Sequence, residues 1–475
     1  MSKKFSRREF LKVASLGTAS AIALSCGILN ETPLSTAEPA SSPSEIPQAE
    51  TDSREADVLV LGAGISGLAA ARALVEKGLN VIVLEARDRT GGRMWTDSSL
   101  RLPLDLGASW IHGVKGNPIT ALAKEFGIQT VASDYENGIV YDFDGREVPD
   151  SEYQAVENLF ESIYSEVEQM QESTDVDMPL QDAFNQVLAT RNLSTEELRR
   201  LDFVIQGQFA LELGADPDHL SLWEWDQDEE FDGEDVVFPA GYNQITDGLA
   251  NGLDIRLGVN VNSISYASDG VDVETSSGRF SADKAVVTFP LGVLKQATVK
   301  FDPPLPDWKQ SAINHLEMGV LNKVYLKFTE VFWDKNIEVI SYMGERTGEW
   351  CDWLNFSPYI NEPVIMAFHG GAKGYALEEL SDDEILAGAM KTLRIIYGNE
   401  IPEPVGIVIT RWGKDPLAFG SYSHIPPFAS GDDYDALARP VDDVLFFAGE
   451  ATSREYPATV HGAYLSGIAA SKEIQ

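Results

Sequence analysis

Residues 57–93 constrain the fold more than any other stretch, because an apolar strand, a glycine turn, a helical pattern and a second apolar strand follow one another there. Gly62, Gly64 and Gly67 lie between the first strand and the helix at G-x-G-x-x-G spacing. Gly62 allows a tight turn, Gly64 leaves the backbone open to a pyrophosphate, and Gly67 lets helix and strand pack closely. Glu85 ends the second strand, where a carboxylate accepts hydrogen bonds from a ribose. The stretch therefore predicts a dinucleotide-binding β-α-β unit.

A second glycine-rich turn follows directly and carries cations. Its sequence is R-x-G-G-R, with Arg89, Gly91, Gly92 and Arg93. The first motif alone does not separate NAD from FAD. An additional arginine beside the phosphates suits a larger, permanently held dinucleotide.

The first 55 residues are not expected to belong to the fold. The pattern S-R-R-x-F-L-K at 6–12 is typical of a twin-arginine export signal, and a run of small apolar residues follows at 13–25. We predict a twin-arginine signal peptide over 1–26 and a disordered tether, rich in Pro, Ser, Thr and Glu, over 27–55.

These patterns also predict a location. The twin-arginine export machinery would carry the folded protein, with its cofactor bound, to the periplasm or the extracellular space. Cys26 follows an imperfect lipoprotein cleavage pattern. Simple cleavage and a lipid anchor at Cys26, which would tether the protein to a membrane, both stay open.

The charge balance excludes one class of partner. The chain has 36 basic and 75 acidic residues, a formal net charge of −39. Nucleic-acid binding is excluded on this basis, whereas cationic small molecules would be attracted. Most carboxylates, including the dense run at 224–235, are expected to be a solvated surface. Cys26 and Cys351 are the two cysteines, so no disulfide is expected, and no metal site is predicted.

Several later segments repeat the strand, glycine and helix order of the β-α-β unit, and one strand carries an isolated lysine. Residues 236–261 and 278–289 predict a return to the first domain, and Lys323 lies near the start of an alternating strand at 321–328. Gly449 and Glu450 follow a strand and precede a terminal helix. This second strand-glycine-acid-helix arrangement would place another helix N-terminus against a cofactor.

These motifs together resemble the flavin-containing amine oxidases, and most closely the polyamine oxidase and histone lysine demethylase branch. The resemblance runs from about Asp57 to the C-terminus and is carried by R-x-G-G-R, DLGASWIHG, FPLGVLK, LNKVYLKF, the RW…DP…GSY run and FFAGEATS…VHGAYLSG. Residues 151–218 match least well.

The resemblance implies an α/β fold with two domains. A Rossmann-like FAD-binding domain would be assembled from 56–115, 236–298 and 430–475. An α+β substrate-binding domain would comprise 116–235 and 299–429.

The resemblance also implies FAD, bound without a covalent bond because no cysteine lies near Tyr422 or Gly449. The implied FAD-binding positions are Gly62, Ala63, Gly64, Ser66, Gly67, Glu85, Ala86, Arg87, Gly92, Arg93, Gly107, Ala108, Ser109, Trp110, Val261, Trp412, Gly449, Glu450, Thr459 and Val460.

Four further roles are implied for the catalytic site. Lys323 matches the lysine that holds a water near flavin N5, and Tyr422 matches one wall of an aromatic cage. Thr459 stands where monoamine oxidases have a second tyrosine, which fits the polyamine branch. His112 falls where polyamine oxidases have a polar residue near the substrate.

The expected reaction is oxidation of an amine, above all a polyamine such as spermine or spermidine, by hydride transfer to the flavin and reoxidation by O₂. The products would be an aldehyde, an amine and H₂O₂. Carboxylates within 212–234 would hold a remote ammonium of the substrate. Two alternatives stay open: a monoamine or L-amino-acid oxidase, with Arg411 as the cation for a substrate carboxylate, and a non-catalytic, FAD-containing surface binding protein.

Overall fold

The computed structural model describes residues 55–346 and 348–474. The predicted signal peptide, the lipidation site and the tether up to residue 54 lie outside the described residues.

The strands of the described part are, in chain order, β1 Ala56–Leu61, β2 Val81–Leu84, β3 Thr96–Asp97, β4 Leu104–Asp105, β5 Trp110–Ile111, β6 Val131–Ser133, β7 Gly138–Asp142, β8 Asp235–Val237, β9 Asp254–Arg256, β10 Val261–Ala267, β11 Gly270–Thr275, β12 Gly278–Val287, β13 Lys300–Asp302, β14 Glu317–Gly319, β15 Leu321–Lys327, β16 Val339–Met343, β17 Asp352–Asn355, β18 Val364–Gly370, β19 Gly406–Ile409, β20 Tyr422–His424 and β21 Leu445–Phe447.

The α-helices of the same part are α1 Ile65–Glu76, α2 Pro118–Phe126, α3 Asp150–Ser173, α4 Leu180–Leu188, α5 Thr195–Ile205, α6 Leu211–Leu213, α7 Asn243–Ala250, α8 Leu291–Lys295, α9 Asp307–His315, α10 Ser357–Ile360, α11 Gly371–Glu378, α12 Asp382–Tyr397, α13 Gly431–Ala438 and α14 Val460–Glu473. A π-helical turn at Gln206–Ala210 joins α5 to α6, and short 3₁₀ helices lie at Pro217–His219 and Glu450–Thr452.

The larger sheet has the predicted β-α-β unit at its centre. β1 pairs in parallel with β2 on one side and with β12 on the other, and β21 pairs in parallel with β12. β10 and β11 form an antiparallel extension of β12, with β13 beside β10 and β9 beside β2. Parallel strands ending at one edge place their following turns together, and that edge carries the site described below.

Alternation along β1 gives this sheet two buried faces. Leu59 and Leu61 belong to one apolar cluster, with residues of β10–β12 and α13. Val58 and Val60 belong to the other, with residues of α1 and α7. A strand buried on both faces reads as an almost continuous apolar run, which is why the sequence predicts it well.

A second sheet has six strands, in the order β19-β15-β18-β17-β16-β7. Its pairs are antiparallel except β16 with β7. Val324 and Leu326 of β15 face the apolar cluster that includes α12, whereas Tyr325 faces Leu104 and Leu106. Lys323 shares the parity of Tyr325, so β15 directs it toward the 104–109 segment.

Smaller pairings link these parts within the described residues. β8 pairs with β5 and β6 rather than with the larger sheet, so the predicted return to the first domain at residue 236 begins with a separate three-stranded sheet. β14 pairs antiparallel with β20. The mixed sheets and helices have the predicted α/β class, while the segment boundaries of the two domains stay a prediction.

Candidate active site

The turn between β1 and α1 has the shape that a phosphate group requires. Gly62 has φ +117°, a conformation that favours glycine. A Cβ on Gly67 would lie 2.0 Å from the carbonyl oxygen of Gly62, so this glycine allows the close helix–strand contact. A Cβ on Gly64 would meet no protein atom within 4 Å. Gly64 therefore leaves open space at the N-terminus of α1, where free N–H groups attract anions.

Glu85 is fixed beside this turn. Its buried carboxylate accepts hydrogen bonds from the backbone N–H of Ala63 at 2.7 Å and of Arg87 at 2.8 Å. The Arg87 guanidinium, beyond Ala86, binds both carboxylate oxygens of Asp415 at 2.9 and 3.0 Å. Val261 begins β10 in the same apolar cluster as Leu84, and Val259, two residues earlier, donates its backbone N–H to the carbonyl of Glu85 at 2.8 Å. The ribose-binding position predicted for Glu85 is thus held by backbone groups on both sides.

Arg89 provides the best test of whether the site fits a dinucleotide. Its guanidinium stacks over the Trp95 ring at 4.5 Å, and Nη1 donates to the carbonyl of Thr90. Nη2 is buried and has no hydrogen-bond partner among the described residues. Burial lowers the pKa of Arg89 to about 10. The R-x-G-G-R turn pairs with the glycine turn of β1 through Gly64 and Gly91. The unpaired Nη2 of Arg89 therefore lies near the N-terminus of α1 and fits an anionic ligand.

Arg93 connects this turn to the C-terminal segment. Its Nη1 donates to Glu450 Oε1 at 2.8 Å and to the carbonyl of Ser421 at 3.0 Å. Glu450 Oε2 accepts from Ser423 Oγ at 2.6 Å and from Ala458 N at 3.1 Å. One buried carboxylate thus joins three parts of the chain, at Arg93, at Ser423 and at 450–458.

Lys323 is buried on the neighbouring side of the site. Its Nζ donates to the carbonyl oxygens of Asp105 at 2.9 Å and Gly107 at 2.5 Å, and to Ser109 Oγ at 2.5 Å. Burial lowers the pKa of Lys323 to about 7. Burial also raises the pKa of the Asp105 carboxyl to about 6, although Thr96 and Tyr242 donate hydrogen bonds to it. Burial thus makes the Lys323 ammonium a stronger acid than that of an exposed lysine.

Aromatic rings line the space around Lys323. Its Nζ lies 5.5 Å from the centroid of Trp110 and 6.0 Å from that of Phe368. Trp412 Nε1 donates to the carbonyl of Leu106 at 3.0 Å. A Cβ on Gly107 would lie 1.6 Å from the carbonyl oxygen of Arg93, and Ala108 N donates to the same oxygen. The glycine therefore allows the segment that accepts from Lys323 to contact the R-x-G-G-R turn.

Tyr422 and His112 occupy defined positions. The hydroxyl of Tyr422 donates to the carbonyl of Glu212 at 3.0 Å, and burial raises its pKa above the ordinary range. His112 Nδ1 lies 2.9 Å from Asp235 Oδ2, and its ring stacks with Trp110 at 6.3 Å. Asp235 was predicted to be solvated but is buried, so it orients His112.

Thr459 has a local structural role. Its hydroxyl accepts from Gly462 N at 2.9 Å and donates to the carbonyl of Tyr456 at 2.9 Å, so it is the N-cap of α14. Val460 is the first helical residue, and Gly449 N donates to Ser466 of the same helix. Ala458, next to the N-cap, donates to Glu450 at 3.1 Å, so the helix N-terminus lies beside the turn at 449–450.

Sequence reasoning missed an aromatic pair at this helix end. Phe231 and Tyr456 stack at 5.0 Å with 9° between their planes, and the His461 ring meets both edge-on. Phe231 belongs to the acidic run 224–235, whose Glu229 N donates to the carbonyl of Glu455. An aromatic residue inside an acidic run was the available signal that this loop packs against the fold.

Asp228 is the acidic residue of that run with the most unusual surroundings. It reaches solvent, yet burial by surrounding protein, followed by the charges of Glu230, Asp226 and Glu212, raises its pKa to about 6. A bound cation would stabilise the charged form of a carboxyl that has other carboxylates around it.

The structure thus brings the predicted residues into two adjoining groups. The first contains the glycine turns, Glu85, Arg93 and Glu450, and the second contains Lys323 with the 105–110 segment. Arg93 and Gly107 lie at their junction. Arg411 lies elsewhere and donates to Asp382 at 2.7 Å and to the carbonyl of Leu380.

Glycine turns of the dinucleotide-binding type that adjoin a buried lysine and aromatic rings fit a flavoenzyme class that oxidises amines. The profile of flavin containing amine oxidoreductases matches residues 65–475, and the chain belongs to this family. It is a flavin-dependent amine oxidase, and the predicted resemblance is confirmed.

Curated relatives agree with this family. Polyamine oxidase 2 of Arabidopsis thaliana is 37% identical over 438 residues, 88% of each chain. Polyamine oxidase 4 of Oryza sativa subsp. japonica is 38% identical over 434 residues, again 88% of each. Among solved structures, putrescine oxidase bound to putrescine is 23% identical with a TM-score of 0.71, over 88% of this chain and 98% of that one. At this identity the last likeness supports the fold, and the predicted two-domain amine oxidase class is confirmed.

The predicted localisation is wrong. Plant polyamine oxidases are among the relatives that match over most of the chain, and the family profile begins at residue 65, beyond the patterns on which export was predicted. Among the described residues no helix combines the length and apolarity needed to cross a membrane. The physical reason for the error is that a twin-arginine pattern is an address read by a receptor, so packing and burial place no constraint on a short stretch that matches it.

Proposed function

We propose that the protein oxidises a polyamine, of the spermine or spermidine type, to an aldehyde and a smaller amine with formation of H₂O₂. The observation that carries this proposal is the buried Lys323 amine beside Trp110 and Phe368, adjoining the dinucleotide turns through Gly107. The sequence likeness to polyamine oxidases over most of the chain supports the substrate class.

FAD is the dinucleotide that the residues fit. The glycine turn and Arg89 would bind the phosphates, Glu85 the ribose, and the N-terminus of α14 the polar edge of the ring system. We propose non-covalent binding, since Cys351 is the one cysteine in the described residues and is buried in the six-stranded sheet region. When bound, FAD supplies the hydride acceptor and passes the electrons to O₂.

The protein must present the reacting amine in its neutral form, because a protonated nitrogen has no free lone pair. The rings of Tyr422 and Trp110 would favour this form by excluding water from the nitrogen. Lys323 and Ser109 would hold a water near the reacting carbon. Lys323 can share its proton near neutral pH because burial lowers its pKa to about 7.

A second ammonium of the substrate needs a charged partner. We propose the acidic surface formed by Glu212, Asp226, Asp228 and Glu230, because the charges of the other three raise the pKa of Asp228 and a bound cation would relieve that repulsion. Replacing Asp228 by Asn should raise KM for spermine and leave KM for a monoamine nearly unchanged. Asp432, an exposed acid paired with Arg454, provides a control position.

The deciding experiment is an anaerobic titration of the purified protein, followed by flavin absorbance, with spermine, spermidine, a monoamine and an L-amino acid. Bleaching by the polyamines, with recovery and H₂O₂ formation on admission of air, is the expected result. Bleaching by the monoamine or amino acid alone would overturn the polyamine assignment. The amino-acid outcome is disfavoured because Arg411 is already paired with Asp382.

A further inference from the structure

Two buried side chains hold the segment that adjoins the cofactor turns. The Lys323 ammonium donates to the carbonyls of Asp105 at 2.9 Å and Gly107 at 2.5 Å. Trp412 Nε1 donates to the carbonyl between them, that of Leu106, at 3.0 Å. A lysine and an indole from different parts of the chain thus fix three consecutive carbonyls. The relative position of Lys323 and Trp412 therefore decides how this segment lies.

A buried amide joins these two residues from the opposite face of β15. Asn322 precedes Lys323, so its side chain lies on the other side of the sheet, where it is fully buried. Its Oδ1 accepts from Trp412 N at 3.0 Å and from Thr410 Oγ1 at 3.0 Å. Thr410 Oγ1 in turn accepts from Lys323 N at 2.8 Å. These hydrogen bonds tie the backbone of the lysine to the backbone of the tryptophan.

The regular pairing of two strands ends where this network begins. β15 pairs with β19 as far as Val324 opposite Ile409. Beyond that pair, Thr410 donates its backbone N–H to the carbonyl of Lys323 at 3.0 Å and its hydroxyl to Asn322. The hydrogen bonds of Thr410 therefore continue the contact between the two chains at the position of Lys323.

The nitrogen of the Asn322 amide is held as well. Nδ2 donates to Glu378 Oε1 at 2.8 Å and to the carbonyl of Gly374 at 3.2 Å, both in α11. Glu378 is buried, and the same carboxylate oxygen accepts from Gly413 N at 2.7 Å. Because the backbone N–H of Trp412 can only donate, the oxygen of the amide must face it. A buried polar network that is satisfied in one orientation fixes a single arrangement of the groups it joins.

We propose that Asn322 and Thr410 are positioning residues, which act on the amine oxidation by holding Lys323 against residues 105–107. Loss of the Thr410 hydroxyl breaks its hydrogen bond from Lys323 N and leaves Asn322 Oδ1 with one of its two donors. The lysine can then shift relative to Trp412. A misplacement of about 1 Å costs a reaction up to about a hundredfold, even when the change lies outside the reacting groups. The inference rests on the proposed function, in which Lys323 acts near the flavin.

The test compares wild type with Thr410→Val and Thr410→Ser in anaerobic stopped flow with spermine, followed by reoxidation in air. Valine has the shape of threonine without the hydroxyl, and serine keeps the hydroxyl. Thr410→Val should slow the same half-reaction that Lys323→Met slows, by about fivefold or more, and Thr410→Ser should stay within about twofold of wild type. Thr392→Val, at a buried threonine of α12, is the matched control and should change neither rate.

A double variant distinguishes positioning of the lysine from a general loss of stability. If Thr410 acts through Lys323, adding Thr410→Val to the Lys323→Met protein should slow it by less than about twofold further. An effect of the same size in both backgrounds would overturn the proposal. Unchanged rates in Thr410→Val, or a Thr410→Ser protein as slow as Thr410→Val, would overturn it too.

A second measurement is independent of turnover. In the FAD-bound, ¹⁵N-labelled protein, the indole N–H resonance of Trp412 is identified by its loss in Trp412→Phe. This resonance should shift in Thr410→Val and in Asn322→Ala, and it should keep its wild-type position in Thr410→Ser and Thr392→Val. A resonance that stays in place in whichever of the first two variants folds overturns the inference. If spermine bleaches none of the proteins, the proposed function fails, and the resonance still decides whether the network holds Trp412.

Discussion

Lys323 has three ammonium protons, and all three have protein acceptors in the structure. The carbonyls of Asp105 and Gly107 are fixed by the backbone, whereas the hydroxyl of Ser109 can rotate. A water near the flavin would therefore take the place of Ser109, or bridge to it. Lys323 and Ser109 act as one unit in this arrangement.

Replacing Lys323 by Met should slow flavin reduction or reoxidation more than tenfold, a loss of about 1.4 kcal/mol in transition-state free energy, because no protonatable group then holds the water. Stopped-flow measurement of the two half-reactions checks this. Lys327→Met on the same strand is the control, since Lys327 pairs with Glu362 outside the site. Unchanged rates in both half-reactions would exclude the role.

The same substitution has a predictable effect on stability. The folded-state pKa of Lys323 is about 7 and its ordinary value is 10.5, so between these values the unfolded chain binds more protons than the native protein. The contribution of Lys323 to the free energy of unfolding therefore rises with pH between about 7 and 10.5, and it is lost as the pH falls through 7. In urea unfolding, the free energy of unfolding of wild type relative to that of Lys323→Met should increase from pH 7 to pH 9.5. A constant difference would contradict the assignment.

At the scale of elements, two glycines of the β1–α1 turn allow the effect on stability to be measured apart from the effect on cofactor affinity. Gly64→Ala meets no protein atom, so the apoprotein should keep its unfolding free energy while FAD affinity falls about tenfold or more. Gly67→Ala collides with the carbonyl of Gly62, so stability should fall by about 1–3 kcal/mol as well. Urea unfolding of apoprotein and FAD titration measure the two effects. Equal stability losses in the two variants would contradict this distinction.

The sequence predicts elements best where the pattern is local. Apolar runs and helical spacing predict β1, α1 and β2 in their order, because each is specified by its own residues. The acidic run 224–235 is different. Its carboxylates suggested solvent, but Asp235 is buried against His112, and Glu224 accepts from the backbone N–H of Gly431. Those partners lie more than a hundred residues away in sequence, and spacing carries no record of them.

The roles of the residues within the site were harder to predict than which residues belong to it. The resemblance named Lys323, Ser109 and Gly107 separately, without indicating that they contact one another. Thr459 was assigned to the cage, and the structure adds that its hydroxyl caps α14. Tyr456 and Phe231 come together from loops that no periodic pattern describes.

At the scale of the whole molecule, the net charge of −39 should steer polycations toward the site. KM for spermine should rise about fivefold or more between 20 and 200 mM NaCl, and KM for a monoamine less than about twofold, because screening acts on each charge of the ligand. Steady-state kinetics over this salt range are sufficient. Equal salt dependence of the two substrates would contradict steering by charge.

Residues 445–473 supply β21, Glu450 and α14, and α14 lies so close to α1 that a Cβ on Gly467 would be 2.1 Å from the carbonyl of Ser66. Two of their partners, Arg93 and β12, are synthesised at least 150 residues earlier. A nascent chain still short of residue 450 therefore lacks one wall of its cofactor site. We therefore expect the flavin to be captured after translation, once α14 has packed against α1 beside the glycine turn of β1.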